Sequence, residues 1–486
     1  MSCRISRRML VALTLLVSGI GLGPSFGLAQ VPPPAKDSKT DAASAGRFVV
    51  HEWGTFTTFS GSNGVHLDFR PLRDQELPHF VFDRASQHGY HWLGKGRLKT
   101  RVRMETPITY FYTDEERKIH VDVEFPQGLL TEFYPPVRSQ FPPFDETIAM
   151  SADGEPIGNA KLQWGEITLI PTAKLRPAVS DPHTAKLLGE CLATRIYPNA
   201  DGNHYDAARH TDSAIVHIRL KPAEPQTDTL ASWAPTGDYF EKFLFYRGVG
   251  KFDIPVTVTS DDNRTLKVTN HGKEVLRGAI VYRLHGETLT YGIVPDVQAG
   301  KTVSVTEPHR QIDLDTLSDL MRQELIDAGL YDKEATAMIH TWASSWFNEQ
   351  GTRMFYLVPQ AVTDRELPLH VSPRPDELLR VMVGRVEIMS ATEEQRLLQV
   401  VKQAAEQRTN EFNQQLANGI ETPVVPIIVP DEFRDLGRLA EPALHRLREV
   451  SHDAMIRDEA DAILAQLARD REVEEVQARE AAQASN

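Results

Sequence analysis

The chain has 486 residues and a formal net charge of −14 at pH 7. This acidic balance argues against a protein that binds nucleic acid or an anionic membrane surface, because both partners are themselves negatively charged. The length is sufficient for two or three domains, each with a core of its own.

Residues 1–29 have the layout of a secretory signal peptide: a basic start, a short apolar run and a small-residue cleavage site that ends at Ala29. The apolar run is shorter and richer in Gly than a membrane-spanning helix. The adjacent Arg7 and Arg8 match a twin-arginine export signal in part, and the general secretion route would explain the same basic start. We therefore expect an exported protein, periplasmic or secreted, with no membrane span after cleavage.

Cleavage after Ala29 removes three Arg and no acidic residue, which makes the net charge of the mature chain −17. It also removes Cys3 and leaves Cys191 as the one remaining cysteine, so no intramolecular disulfide is expected. Residues 30–46 are rich in Pro, Ala and Ser without an apolar period, which predicts a disordered spacer.

Residues 47–250 consist mainly of short runs of β-branched and aromatic residues broken by turns, which predicts a β-rich domain. The run that begins at Phe48, FVVHEWGTFTTF, is the first of these strands. In residues 251–310 five short strands follow at close spacing, typical of a sandwich. This segment resembles an immunoglobulin-like fold in architecture, without the Cys–Trp–Cys core of antibody domains.

Helical periodicity begins at about Asp313, and residues 311–420 are predicted to mix helices and strands. Residues 421–470 predict a helical hairpin similar to one unit of a HEAT-type repeat, packed on the rest of the chain because one unit cannot form a solenoid. Residues 471–486 predict a frayed, charged tail. The fold class is therefore α+β, with a sandwich-like β-rich N-terminal and middle part followed by a mixed part and a C-terminal helical hairpin.

A group of His and acidic residues near the N-terminus predicts a divalent transition-metal site, since imidazole and carboxylate are the usual ligands of such metals. The candidate ligands are His51, Glu52, His79, His88 and His91. Adjacent strand residues point to opposite faces, so only one of the first two is expected to enter a shared site. The alternative is an ordinary polar loop, with one residue of the strand pair facing the interior and hydrogen-bonded.

Three further groups have a structural and a functional interpretation. Glu105 lies in an apolar run, METPITYFY, where it is either paired with Arg101 or Arg103 or has a raised pKa suited to a general acid. The polar loop from His204 to Asp212 predicts a surface turn or the lining of a cleft. The helix-spaced pair Trp342 and Trp346 predicts core packing or a sugar-binding platform.

Several distinctive motifs are distributed over residues 47–389: HEWGTFT with a following GSNG, METPITYFY, FLFYRGVGKFDIP, AGLYDKEATAMIHTWASSWF, GTRMFYLVP and RVMVGRVEIM. Together they resemble a family of exported bacterial proteins found largely in planctomycetes and related groups. The resemblance implies an exported setting and carries over no catalytic residue.

No local signature of a large enzyme class is present after the signal-peptide pattern: HExxH, the P-loop and CxxC are missing from the sequence, and GxSxG occurs only at residues 23–27, before the predicted cleavage site. The leading interpretation is an exported binding or accessory protein that acts on an extracellular or periplasmic protein or polymer. The alternative is a metal-assisted hydrolase that uses the N-terminal His/Glu cluster. Apart from that metal, no cofactor is predicted.

Overall fold

The structure is a computed structural model that describes residues 46–69, 81–83, 100–142, 158–172, 204–220, 236–261 and 264–484. The strands in chain order are β1 (Val49–Ser60), β2 (His66–Leu67), β3 (Phe82–Asp83), β4 (Val102–Tyr112), β5 (Arg117–Phe125), β6 (Gly128–Tyr134), β7 (Ser139–Phe141), β8 (Ala160–Ile170), β9 (Ile215–Leu220), β10 (Gly237–Glu241), β11 (Leu244–Gly250), β12 (Val256–Ser260), β13 (Thr265–Asn270), β14 (Arg277–His285), β15 (Thr288–Ile293), β16 (Thr302–Thr306), β17 (Arg310–Gln311), β18 (Gly351–Val358), β19 (Leu369–Ser372) and β20 (Glu377–Ile388). The helices are α1 (Leu314–Asp327), α2 (Asp332–Phe347), α3 (Gln360–Glu366), α4 (Ala391–Ala417), α5 (Asp431–Asp435), α6 (Ala440–Val450) and α7 (Ala454–Ala484). Short 3-10 helices cover His204–Arg209 and Gly437–Leu439.

Within the described residues the strands form sheets of eleven, six and three strands. The largest has the order β17-β15-β14-β18-β20-β1-β4-β11-β6-β3, with β2 paired to β1. The second has the order β10-β9-β8-β5-β19, with β7 paired to β8, and the third is β12-β13-β16. The protein is thus β-rich α+β with a C-terminal helical hairpin, as the sequence predicted.

The eleven-stranded sheet is covered on both faces. On one face, which we call the sheet face, the ring centroid of Tyr246 on β11 lies 6.1 Å from that of Trp164 on β8 of the six-stranded sheet. On the other, the helix face, Trp346 of α2 packs 5.0 Å from Phe355 of β18. Because both faces are covered, all twelve residues of β1 are buried, polar ones included.

The strands of residues 251–310 divide between two sheets instead of forming a sandwich by themselves. β12, β13 and β16 form the three-stranded sheet, whereas β14 and β15 extend the large one. Four successive residues of β14, Ala279–Tyr282, are buried, so this strand needs cover on both faces. β14 pairs with β18 in the large sheet, which is covered on both faces.

The C-terminal helices share a second apolar core with the end of the large sheet. Leu397 and Val401 of α4, Leu444 of α6 and Ile463 of α7 lie in one cluster with Phe59 of β1. α7 remains helical to Ala484, beyond the start of the predicted frayed tail, because residues 471–484 are rich in good helix formers and lack Gly and Pro. No helix in the described ranges is both long enough and apolar enough to span a membrane.

Candidate functional site

His51 lies on the helix face of β1 in a buried cluster of polar and aromatic side chains. Its Nδ1 is 2.9 Å from Oε2 of Glu334, whose Oε1 accepts a 2.7 Å hydrogen bond from the Tyr112 hydroxyl. The backbone N–H of Tyr331 donates to the same carboxylate at 2.7 Å, and its ring lies 4.5 Å from the imidazole. With Nδ1 held by Glu334, the other ring nitrogen is the one available to a ligand.

The second ring nitrogen of His51, Nε2, is buried and has no hydrogen-bond partner among the described residues. Oε1 of Glu377 lies 3.8 Å away, at the more exposed edge of the cluster. Burial, together with the Glu334 carboxylate, raises the pKa of Tyr112 well above its usual range, so this phenol stays protonated and donates. The cluster therefore orients one imidazole firmly and leaves one of its nitrogens without a bond.

Glu52 points to the opposite, sheet face of β1. Its Oε2 lies 2.7 Å from Nη2 of Arg380, and its Oε1 accepts hydrogen bonds from Thr109, at 2.9 Å, and from the Tyr246 hydroxyl. Arg380 also donates to Asp364 at 3.0 Å, and the side chains of Glu52 and Arg380 are fully buried. Both oxygens of Glu52 are thus bound within the protein, and Glu52 and Arg380 form a structural ion pair between adjacent strands of the large sheet.

Only two of the five predicted metal ligands lie among the residues that the structure describes. His79, His88 and His91 lie outside the described residues, and His51 and Glu52 lie on opposite faces of β1. Among the residues that the structure describes, no group of three or more His, Cys, Asp or Glu side chains is placed to hold a metal ion. Binding of a divalent metal by the N-terminal His residues stays a prediction. The strand pair itself differs from the expectation, since both members are buried and hydrogen-bonded.

Glu105 belongs to a larger buried group on the helix face, which we call the Arg–Glu cluster. Its members are Arg103, Glu105, Glu349, Arg353, Arg385, Glu387 and Arg438. Oε1 of Glu105 lies 3.0 Å from Nε of Arg103 and accepts a 3.2 Å hydrogen bond from Nη1 of Arg438. The ion-pair interpretation of Glu105 is therefore confirmed for Arg103, while Arg101 pairs with Asp253 at 2.9 Å instead.

The other half of the Arg–Glu cluster lies on two neighbouring strands, β18 and β20, and near the end of α2. Arg353 Nε donates to Glu387 Oε2 at 3.0 Å, and Arg385 Nε donates to the other oxygen of Glu387. Arg385 also pairs with Glu349, which lies 3.6 Å from Arg438. Sequence reasoning missed these partners because Arg438 is 333 positions from Glu105 and carries no local signal.

A β-bulge in β4 places Glu105 on the helix face. The β1–β4 register shifts between Trp53 and Thr55, and Thr106 adopts a φ of +48°. A β-branched residue in this left-handed region is strained, and such strain is concentrated at special sites in proteins. The extra residue lets Ile108 and Glu105 pair with same-face residues of β1, although they are three positions apart.

The carboxyl of Glu349 is strongly acidic. Burial raises its pKa, but the guanidinium groups of Arg385, Arg438 and Arg353 outweigh burial and lower it to about 2. Because this pKa is lower in the folded state, the ionised carboxylate stabilises the folded protein at pH values above its ordinary pKa of 4.5. This stabilisation is lost as the pH falls through about 2.

Glu349→Gln should therefore melt at a lower temperature than the wild type at neutral pH, and this difference should shrink as the pH is lowered from about 4.5 towards 2. Thermal unfolding at a series of pH values measures the effect. Glu411→Gln is the control, because Glu411 is exposed and forms no ion pair among the described residues. A Glu349→Gln difference that stays constant with pH would contradict the assignment.

The Trp pair and the polar loop singled out in the sequence both contribute side chains to the buried interior. Trp342 and Trp346 are 5% and 0% exposed, so they pack inside the protein and offer no platform to a sugar. In the polar loop, Arg209 is buried and forms a two-pronged ion pair with Glu241, with its Nη2 2.9 Å from Oε2. Burial lowers the pKa of the neighbouring Lys242 to about 8, against the attraction of Asp212 and Glu241.

An exposed group of apolar side chains lies at the far end of α4 and on the extended segment that follows. We call it the C-terminal apolar surface, and its members are Phe412, Leu416, Ile420, Val424 and Ile428. Their exposed fractions are 42%, 45%, 45%, 77% and 70%. Exposed apolar residues that stand singly are common, whereas a contiguous group marks an interaction surface.

The segment is held against α4, so that Val424 lies near the end of the helix that carries Phe412 and Leu416. The side-chain amide of Gln415 contacts the backbone N–H and carbonyl of Val424 at 3.2 and 3.5 Å. Further along, Val429 is buried in the same apolar cluster as Val401, so the segment returns along the helix. Alternate residues face inwards, and Val424 and Ile428 face solvent.

No family model and no curated protein matches the chain. Among solved structures, it is similar to the Fcho1 mu homology domain of Danio rerio with bound Eps15 peptide, at 6% identity and a TM-score of 0.27. It is also similar to the yeast delta-COP-I mu-homology domain complexed with Dsl1 WxWxV peptide, at 5% identity and a TM-score of 0.21. Each match covers 71% of this chain and 98% of the other. Likeness at these TM-scores carries no argument about function.

Proposed function

We propose that this chain is an exported binding or accessory protein that docks a partner protein on the C-terminal apolar surface. Export rests on the signal-peptide pattern of residues 1–29 and on the resemblance of its motifs to an exported bacterial family. Docking rests on one observation, the group of apolar side chains left exposed beside an otherwise well-packed helical unit.

The charges around the surface favour one kind of occupant. Glu411 on α4 and Glu421 on the following segment are exposed, and neither forms an ion pair among the described residues. The nearby basic side chains of Lys402 and Arg408 are already matched by Glu406 and Glu459. An apolar surface with an acidic rim suits a protein segment whose apolar side chains are flanked by Lys or Arg.

The substitutions Val424→Asp and Ile428→Asp should abolish docking without unfolding the protein, because both side chains are already mostly in solvent. A photo-crosslinking residue in place of Ile420, in cells that export the protein, should yield one discrete protein adduct, identified by mass spectrometry. The adduct should disappear in the double variant. The exported protein used for the assay should begin at Gln30.

Ile293→Asp is the matched control, because Ile293 is 60% exposed but lies on β15, in another part of the protein. It should keep the adduct. An adduct with a second copy of the chain, or with a polysaccharide, would replace the proposed occupant. Equal adduct yields in the wild type and in the double variant would show that the partner does not dock on the C-terminal apolar surface.

A further inference from the structure

One arginine of the Arg–Glu cluster and two threonines beside it have buried polar atoms without a hydrogen bond among the described residues. Oγ1 of Thr55, Oγ1 of Thr57 and Nη1 of Arg385 are buried and have no hydrogen-bond partner among the described residues. An unsatisfied buried polar group is destabilising, and native proteins rarely gather several of them in one place.

The register of the large sheet places these atoms beside each other. Thr57 of β1 is the direct partner of Arg385 on β20 and of Arg103 on β4, so the three side chains form a row across the helix face. Thr55 is two residues along β1 and therefore projects from the same face. The row lies next to the strained bulge at Thr106.

The charge of the cluster shows which ligand would suit this place. Among the described residues its members are four arginines and three glutamates, and one of these arginines, Arg385, is the direct partner of Thr57. Arg385 stays charged despite its burial, because the carboxylates of Glu387, Glu349 and Glu105 raise its pKa. Guanidinium N–H groups can only donate, and threonine hydroxyls can donate, so a ligand shared by all three must accept.

We propose that Thr55, Thr57 and Arg385 form a binding site for a small monovalent anion of the halide or short carboxylate class. The anion accepts hydrogen bonds from the two hydroxyls and from Nη1, and the positive charge of the Arg385 guanidinium attracts it. The ion must be small, because Arg385, Thr55 and Thr57 are fully buried and only Glu349 of the cluster is substantially exposed, at 40%. The site is independent of the C-terminal apolar surface.

The anion should stabilise the folded protein by mass action, since the row of donors exists only in the folded state. All salts are compared at the same ionic strength. Replacing sodium gluconate by sodium chloride or sodium formate should raise the melting temperature of the wild type by about 1–2 °C more than that of Thr57→Val. Comparing two proteins in the same salts cancels general salt effects, and gluconate is too large to enter. The chloride and formate series separate the two ligand classes.

Thr58→Val is the matched control. Thr58 follows Thr57 on the same strand, and its hydroxyl is also buried with no hydrogen-bond partner in the part of the chain that the structure describes. It lies on the sheet face, where Val386 is its neighbour on β20. It should keep the wild-type response to chloride or formate. An equal loss of response in both valine variants would overturn the site, and so would an unchanged response in Thr57→Val.

A crystal of the mature protein grown in bromide provides a direct measurement. An anomalous peak within hydrogen-bond distance of Thr57 Oγ1 and Arg385 Nη1 is expected in the wild type and not in Thr57→Val. If Thr57→Val does not fold, Thr55→Val serves in its place. Electron density for water alone, with no salt-specific change in melting, would overturn the proposal.

Discussion

Arg380→Met should lower the free energy of unfolding by about 3–5 kcal/mol, because it leaves the Glu52 carboxylate buried between two sheets without its cation. Thr109 and Tyr246 would still donate to Glu52, but two neutral donors do not replace a guanidinium. Denaturant unfolding followed by tryptophan fluorescence measures the loss.

The double variant Arg380→Met/Glu52→Gln should regain a large part of that stability, since the uncompensated charge is then gone. Lys118→Met is the control: Lys118 pairs with Glu166 at 2.9 Å, but both side chains are more than half exposed. It should leave the unfolding curve close to that of the wild type, because an exposed ion pair contributes little. A double variant no more stable than Arg380→Met would show that lost packing, and not an unpaired charge, causes the effect.

Leu444→Asp should lower the free energy of unfolding by at least about 3 kcal/mol, because it replaces a fully buried apolar side chain by an unpaired charge. Leu444 lies on α6 in the core shared by α4, α7 and the end of β1. The helices of the variant should unfold at a lower denaturant concentration than those of the wild type. Circular dichroism measures this unfolding.

Val473→Asp serves as the control, because Val473 on α7 is 54% exposed and lies beyond the shared core. A change there should stay within about 0.5 kcal/mol. Equal unfolding curves for Leu444→Asp and the wild type would mean that the helical hairpin does not pack on the sheet as described.

Local pattern was sufficient to predict the elements themselves. The alternation in FVVHEWGTFTTF predicted β1, and the helical spacing of Leu317, Met321 and Leu325 predicted α1. The Glu105 pair with Arg103 could also be predicted, because the partners are two residues apart on one strand face. These features depend on residues that are close together in the chain, so the spacing of residues in the sequence is enough to predict them.

The order of strands and the buried charges could not be predicted in this way. β1 lies between β20 and β4, and its parallel partner β20 is more than 300 residues away in the chain. Arg380 therefore meets Glu52 only after the sheet has formed, and Arg438 meets Glu105 only after the C-terminal helices have packed. Nothing in the local spacing of these residues marks them as partners.

The sequence by itself determined the acidic character of this protein, the signal-peptide pattern, the β-rich α+β class and the C-terminal helical hairpin. Only the tertiary structure decided which polar residues are buried together: His51 with Glu334, Glu52 with Arg380, and Thr55 and Thr57 beside Arg385. The physical reason is that composition and periodicity act within one segment, whereas the burial of a charge depends on which distant segment covers it.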